Sequence, residues 1–216
     1  MKFTQGWQFP DDETHLPDVI ARQSRAVGIH GYQVRSRNRS LFGLAADRRR
    51  RAIDIGANVG LWARDLCAEF DQVVAFEPIE EFRQCLLINV PAQNLQVESV
   101  ALGNRTGTTE MIRVANNAGH THVDAASTQG TTDIRRLDDY EFDTVDYIKV
   151  DCEGYEYEVL LGAEHTIRRC RTRICVEQKP HGIFGEQYRA RDLLISWGMI
   201  TLPHHGDDWV LDWPAK

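Results

Sequence analysis

The stretch 52-AIDIGANVG-60 decides the fold. An apolar run carrying one aspartate, Asp54, leads into a loop where Gly56, Ala57 and Gly60 surround Asn58. Small residues there let the backbone approach a ligand closely, and the amides opening a following helix can meet a polar group. "RAIDIGA" accordingly reads as a strand, and "VGLWARDLCAEF" as a helix with Leu61, Trp62, Leu66 and Phe70 at helical spacing. Taken alone, this glycine spacing also suits a plain strand-to-helix turn.

The pattern repeats outward from that stretch. "QVVAFEP" is a strand stopped by Pro78, "EEFRQCLLINV" a helix opening with two acids, and "LQVESVALG" a third strand. Such a β-α-β-α-β order implies parallel strands joined by right-handed crossovers. Between 107 and 137 the texture turns Thr-, Asn- and Gly-rich, which predicts a β-rich insertion ending in a strand around Thr132 to Leu137. Alternation then resumes with "VDYIKVDCEG", "EYEVLLGAEHTIRRC", "TRICVEQKP" and "YRARDLLISWGM". The tail "ITLPHHGDDWVLDW" reads as two strands around a His-Gly-Asp turn, a terminal antiparallel hairpin. Residues 1–49 hold an amphipathic helix candidate, "LPDVIARQSRAVG", and the basic stretch "QVRSRNRS", expected to cover the sheet or overhang its ligand edge. With no linker or repeat, residues 1–216 are expected to form one domain with its core at 50–216.

Composition narrows the function classes. A chain of 216 residues, 42% hydrophobic and 26% charged, can bury one full core and does not look disordered. Its net charge of −7 disfavours long-range attraction to nucleic acid or to an anionic membrane. Five cysteines without a C-x-x-C pair fit reduced, packing thiols. The N-terminus lacks the apolar core of a signal peptide, and no apolar run spans a bilayer, so a cytoplasmic protein is expected. Oligomeric state is not legible.

Glu77 ends the second strand about twenty residues after the loop, where a carboxylate can accept from both hydroxyls of a ribose. A dinucleotide site would place G-x-G-x-x-G at the loop, and "DIGANVG" has no glycine two residues after Gly56. A nucleoside without phosphates fits better. S-adenosylmethionine offers an adenosine and an amino-acid tail, whose ammonium Asp54 could balance and whose carboxylate the loop amides could hold.

The segments "IDIGANVGLWA", "VVAFEPIEEF", "VESVALGNRTG", "VDYIKVDCEGYEYEVLLGA" and "ICVEQ" together resemble the FkbM-type S-adenosylmethionine-dependent methyltransferases over roughly residues 50 to 180. The resemblance implies an α/β fold of the class I methyltransferase type: a Rossmann-like three-layer sandwich on a mostly parallel seven-stranded sheet ordered 3-2-1-4-5-7-6. It implies that Asp54, Gly56, Ala57, Asn58 and Gly60 line the methionine tail, and that Glu77 and Pro78 meet the ribose. Ser99, Val100, Ala101 and Leu102 would flank the adenine, and Asp151 would lie near the reactive methyl. It also implies O-methylation of a sugar or small natural-product-like acceptor. Two departures stand out: the fifth strand ends "VEQKPHG" where the family has a histidine closer behind the glutamate, and the N-terminal region aligns with nothing.

Methyl transfer to an alcohol needs alignment and a base. Lys149, Asp151 and Glu153 alternate in "IKVDCEG", which in a strand puts them on one side. Asp151 and Glu153 are candidates for lining the site; Lys149 could instead pair with an acid. His120 and His122 in "GHTHV" are further candidate bases, as is His181 behind the fifth strand. His120, His122, Asp151 and Glu177 have metal-ligand chemistry but are scattered in sequence, so no metal site is assigned. Three alternatives remain: a nucleic-acid methyltransferase, contacting phosphates through "DRRRR" and "RSRNRS"; a nicotinamide-dependent oxidoreductase; and a binding protein without turnover.

Overall fold

A computed structural model describes residues 1–27, 39–178 and 188–215. The main sheet has seven strands, labelled here in chain order: β1 (Arg51–Ile55), β2 (Gln72–Phe76), β3 (Leu95–Glu98), β4 (Tyr147–Val150), β5 (Arg173–Glu177), β6 (Ile200–His205) and β7 (Asp208–Asp212). Their spatial order is β6-β7-β5-β4-β1-β2-β3. Strands β1 to β5 run parallel, and β7 lies antiparallel between β5 and β6. This is the class I methyltransferase arrangement implied by the five matching segments.

Six helices lying wholly among the described residues accompany the sheet: α1 (His15–Val27), α2 (Leu61–Glu69), α3 (Glu80–Asn89), α4 (Glu156–Leu161), α5 (Glu164–Cys170) and α6 (Arg189–Ser196). Strand alternation sorts the core into two layers. Ile53, Ile55, Val74, Phe76, Ile148, Val150, Ile174 and Val176 face Val159, Leu160, Ile167 and Leu194 of α4 to α6. Ala52, Val73, Tyr147 and Cys175 face Trp62 and Leu66 of α2. Asp54 and Lys149 share a register pair with the same parity, so both lie under α2.

Several elements differ from the sequence reading. The expected third strand breaks at Ser99: Leu95–Glu98 stays in the main sheet, whereas Ala101–Leu102 pairs with Thr132–Arg135 in a separate small sheet. The expected long helix after β4 splits into α4 and α5 at Gly162, where only glycine fits, since a Cβ there would stand 1.8 Å from the Gly103 carbonyl oxygen. An N-terminal hairpin, Lys2–Thr4 with Trp7–Phe9, precedes α1 where the sequence reading has no strand. Its Trp7 and Phe9 pack with Leu16 and Ile20 of α1 against Val59, Leu61 and Phe82. The 107–137 segment forms short strands at Gly107–Thr109, Met111–Ile112, His122–Val123 and Thr132–Arg135.

The basic run at 48–51 has a structural use at the amino ends of the strands. Arg50 grips Asp146 at 2.6 Å, and Arg48 and Arg173 share Asp212 at 3.2 and 2.8 Å. Arg49 pairs with Glu69. Residues 33–38 of the second basic stretch lie outside the described residues. No helix among the described residues is long and apolar enough to cross a membrane.

Candidate functional site

The carboxyl ends of β1, β2, β4 and β5 open into a cavity of about 300 Å³, at the lower end of the range for ligand pockets. Its floor is the glycine loop. Gly56 and Ala57 donate their amides to the Phe76 carbonyl at 3.0 and 3.1 Å, folding the loop over the tip of β2. Gly56 has φ +77°, and a Cβ on it would meet the Asp151 carbonyl oxygen at 1.9 Å. That close approach brings the β4 tip beside the loop and admits only glycine. Gly60 serves helix packing instead. It opens α2 at φ +93°, with Val90 and Leu86 of the neighbouring helix crowding its missing Cβ at 2.8 and 3.2 Å.

Glu77 is 4% exposed and lines the cavity. One carboxylate oxygen accepts the Asn58 amide at 2.9 Å and the other the Ile79 amide at 2.8 Å. Each oxygen keeps a further lone pair, as two ribose hydroxyls would require. Burial pushes this carboxyl up to about 7, against the pull of both amides and Arg83. Arg83 also donates to the Glu77 and Pro78 carbonyls at 2.9 and 2.6 Å, fixing the strand tip.

A pH dependence follows. Between the ordinary glutamate value of 4.5 and about 7, the folded protein keeps a proton at Glu77 that the unfolded chain has lost. Stability from this group is therefore complete below the lower value and disappears as pH rises through the upper one. Asp54, raised by burial from 3.8 to about 7, acts with the same sign. Denaturant melts of ligand-free protein are expected to weaken from about pH 5 to about pH 8, by up to ~3 kcal/mol from Glu77 alone. Glu77→Gln should remove the Glu77 share of that trend and leave the Asp54 share; stability increasing over the interval in the wild-type protein would contradict it.

Four of the expected site residues stand outside the cavity wall: Gly60, already placed in helix packing, and Ser99, Asp54 and Lys149. Ser99 is exposed, and the wall beside it is Val100, Ala101 and Leu102. Asp54 is 1% exposed beneath the loop, with one carboxylate oxygen lacking a hydrogen-bond partner. Lys149 is fully buried behind the wall, 2.8 Å from Asp208 and 3.5 Å from Asp151, with its ammonium over the Trp62 ring. The alternation expected for 149, 151 and 153 stops because β4 ends at Val150. Glu153 then adopts φ +50°, a left-handed turn followed by Gly154 at φ +104°. Gly56, Ala57, Asn58, Glu77, Pro78, Val100, Ala101, Asp151, Glu153, His120 and His122 all line the cavity. His181 lies outside the described residues.

The structure gathers Asp151, Glu153 and Glu177 so that one ligand atom from each falls within 4.8 Å of the others. Two unit charges roughly 5 Å apart repel by ~3 kcal/mol at an effective dielectric near 20, less where water reaches them. This grouping suits a proton acceptor or a hard cation, and it replaces the scattered picture drawn from sequence. His120 and His122 are not in this group; His122 Nδ1 lies 2.8 Å from the His120 carbonyl oxygen. Among the described residues, the cavity wall carries no lysine or arginine.

Some wall and support residues were missed. His15, at the start of α1, lies with its ring centroid 6.3 Å from that of His120. Asn117 Oδ1 and Thr121 Oγ1 are buried without a hydrogen-bond partner in the part of the wall built by the insertion. Glu156, 3% exposed, accepts the Cys152 and Gly154 amides, both at 2.9 Å, and so holds the turn carrying Asp151 and Glu153. An acid in the first turn of a helix was a readable signal for that role.

The residues present fit an S-adenosyl group. The loop offers backbone at close range, Glu77 offers paired lone pairs, Val100 to Leu102 give an apolar wall, and orphaned polar atoms await donors. Residues 54–200 match the family described as the methyltransferase FkbM domain, well over half of the chain. The chain belongs to this family of S-adenosylmethionine-dependent methyltransferases. The crystal structure of methyltransferase FkbM from Methylobacillus flagellatus KT matches at TM-score 0.55 and 19% identity, covering 77% of this chain and 44% of that one. At that identity the likeness speaks to the fold alone, and the chain spans less than half of that protein. A precorrin-6y C5,15-methyltransferase from Geobacter metallireducens GS-15 gives 0.45 at 13% identity, over 79% of this chain and 85% of that one. An S-adenosylmethionine-dependent methyltransferase from Leishmania major gives 0.48 at 9% identity, over 82% and 69%. These two likenesses are too loose to argue from. No curated protein sequence matches the chain.

Proposed function

We propose that this chain is an O-methyltransferase acting on a hydroxyl of a sugar or a small natural-product-like molecule, and that residues 1–216 work as one unit. The observation that carries the reading is the meeting, in one cavity, of the glycine loop, Glu77 and the Asp151–Glu153–Glu177 carboxylates. S-adenosylmethionine supplies a methyl on a positively charged sulfur, which leaves as a neutral thioether. In this reading Glu77 accepts the ribose hydroxyls, and Val100 to Leu102 pack against the adenine. The close-packed backbone of the glycine loop borders the amino-acid tail, its own amides being bonded within the protein, with Asp54 acting from beneath.

The chain must align the acceptor oxygen and take its proton. The acceptor C–O bond forms as the S–C bond breaks, and the hydroxyl proton passes to a carboxylate. Asp151 is the proposed acceptor of that proton, with Glu153 beside it. Lys149 is reassigned here from catalysis to positioning, since its ammonium sits behind the wall and draws the Asp151 carboxylate toward itself at 3.5 Å. His15 and His120 border the same space from the α1 side and suit contact with the acceptor.

A wall with four carboxylates and, among the described residues, no lysine or arginine is electrostatically unfavourable for a phosphate. That supports a non-nucleic-acid acceptor. So does the commitment of Arg48 to Arg50 to ion pairs at the opposite ends of the strands. A labelled-methyl screen over neutral sugars, amino sugars, nucleotides and small alcohols tests the reading. Label on an alkali-stable ether of a sugar or small alcohol is the expected result; label only on nucleic acid or nucleotides would overturn it.

A further inference from the structure

We propose that Glu13 is a positioning residue for the cofactor site, acting at a distance through Ala118 and Asn58. The inference rests on the methyltransferase reading of the cavity and adds to it a residue that touches no ligand. Side chains of residues 1–14 contribute nothing to the described cavity wall, which begins at His15. Yet Glu13 is 1% exposed, a burial that an ionisable side chain tolerates only with partners. Its partners lie in two separate parts of the chain. One carboxylate oxygen accepts the Leu16 amide at 2.8 Å, fixing the first turn of α1. The other accepts the Ala118 amide from the insertion.

From Ala118 the chain of hydrogen bonds runs on into the site. The Ala118 carbonyl accepts the Asn58 side-chain amide at 3.0 Å. Asn58 is held at φ +50°, an uncommon conformation for a non-glycine residue, and its side-chain oxygen accepts the Val59 amide at 2.8 Å. The Asn58 backbone amide in turn donates to Glu77 at 2.9 Å. One continuous path therefore joins Glu13, the insertion, the glycine loop and the ribose-facing carboxylate. Parallel contacts keep its outer end in place. The Thr14 amide donates to the Asn116 carbonyl at 3.2 Å, and Arg113 bridges Asp12 and Glu81, both at 2.7 Å. Ala118 itself is buried with Trp7, Phe9 and Leu16.

The physical consequence is that the angle of Asn58, and with it the Glu77 carboxylate, depends on the N-terminal segment. Glu13→Gln replaces one acceptor oxygen by an amide nitrogen, which cannot accept a backbone N–H. Calorimetric titration of S-adenosylhomocysteine into the full chain is the test. Glu13→Gln is expected to weaken binding about five- to twentyfold, and Asn58→Ala by a similar factor. Together they should cost little more than either alone, because both cut the same path. Thr14→Val, which removes only the Thr14 hydroxyl bond to the Asn116 carbonyl, should stay within about twofold of wild type. Should Glu13→Gln fail to fold, hydrogen exchange on the wild-type protein replaces it: the cofactor product should slow exchange of the Ala118 amide at least about tenfold. A folded Glu13→Gln with wild-type affinity, additive penalties in the double variant, or an Ala118 amide indifferent to ligand would each overturn the proposal. Absence of binding by the wild-type chain would instead refute the methyltransferase reading beneath it.

Discussion

Gly56→Ala is expected to abolish cofactor binding and to cost several kcal/mol of stability. A methyl group at this position would lie 1.9 Å from the Asp151 carbonyl oxygen and 3.0 Å from its carbon. Neither atom belongs to a side chain that could rotate away. Asp151 is tied to the end of β1 by its own amide, which donates to the Ile55 carbonyl at 3.0 Å. Relief therefore requires parting β1 from β4 at the place where both feed the cavity. The left-handed backbone adds ~1 kcal/mol for any residue with a Cβ, and displacement of packed backbone puts the total at ~3 kcal/mol or more. Gly198→Ala gives the comparison: its φ is +95°, but nothing lies within 4 Å of the added carbon. That variant should lose only about 1 kcal/mol and keep its affinity. Urea melts and S-adenosylhomocysteine titrations on both variants measure the contrast. A Gly56→Ala protein with wild-type stability and affinity would show that the loop and the β4 tip are not as close as described.

Asp151→Asn is expected to lower turnover by about 10²-fold or more while leaving cofactor affinity within a few-fold. The substitution keeps shape and removes the ability to take a proton. Lys149 retains Asp208 at 2.8 Å, so its buried ammonium is not stranded by the change. The backbone carbonyl that crowds Gly56 is also retained. A pure folding defect would depress affinity and turnover together; loss of a proton acceptor depresses turnover alone. Label transfer to whichever acceptor the methyl screen identifies, paired with titration of the demethylated cofactor, separates the two. Unchanged turnover would move the role to Glu153 or Glu177, which share the same cluster.

Much of this was legible in the sequence because the informative signals were local. A buried parallel strand is a short apolar run, and a strand tip is marked by glycine, proline or an acid; "AIDIGANVG" and "VVAFEP" carry both signs. Strand order came from the resemblance of five spaced segments, since periodicity does not say which strands are neighbours. What escaped the reading depends on distant contacts. Gly60 looks like a ligand-facing glycine, yet it is needed for the packing of Val90 and Leu86. Lys149 looks like a site residue by alternation, but β4 ends one residue later and leaves it buried on Asp208, a partner 59 positions away. Glu13, Asn117 and His15 sit in segments whose composition is that of an ordinary surface. Only tertiary placement turns their side chains toward the cavity or toward one another.

The central claim is that an adenosine with an amino-acid tail is held across the tips of β1 and β2. Its most direct measurement is side-by-side calorimetry with S-adenosylhomocysteine and NADH on the wild-type chain and on Glu77→Ala. Saturable one-to-one binding of S-adenosylhomocysteine, at least about tenfold weaker in Glu77→Ala and absent for NADH, is the predicted outcome. Heat from NADH alone, or equal affinity for the demethylated cofactor in both proteins, would contradict it.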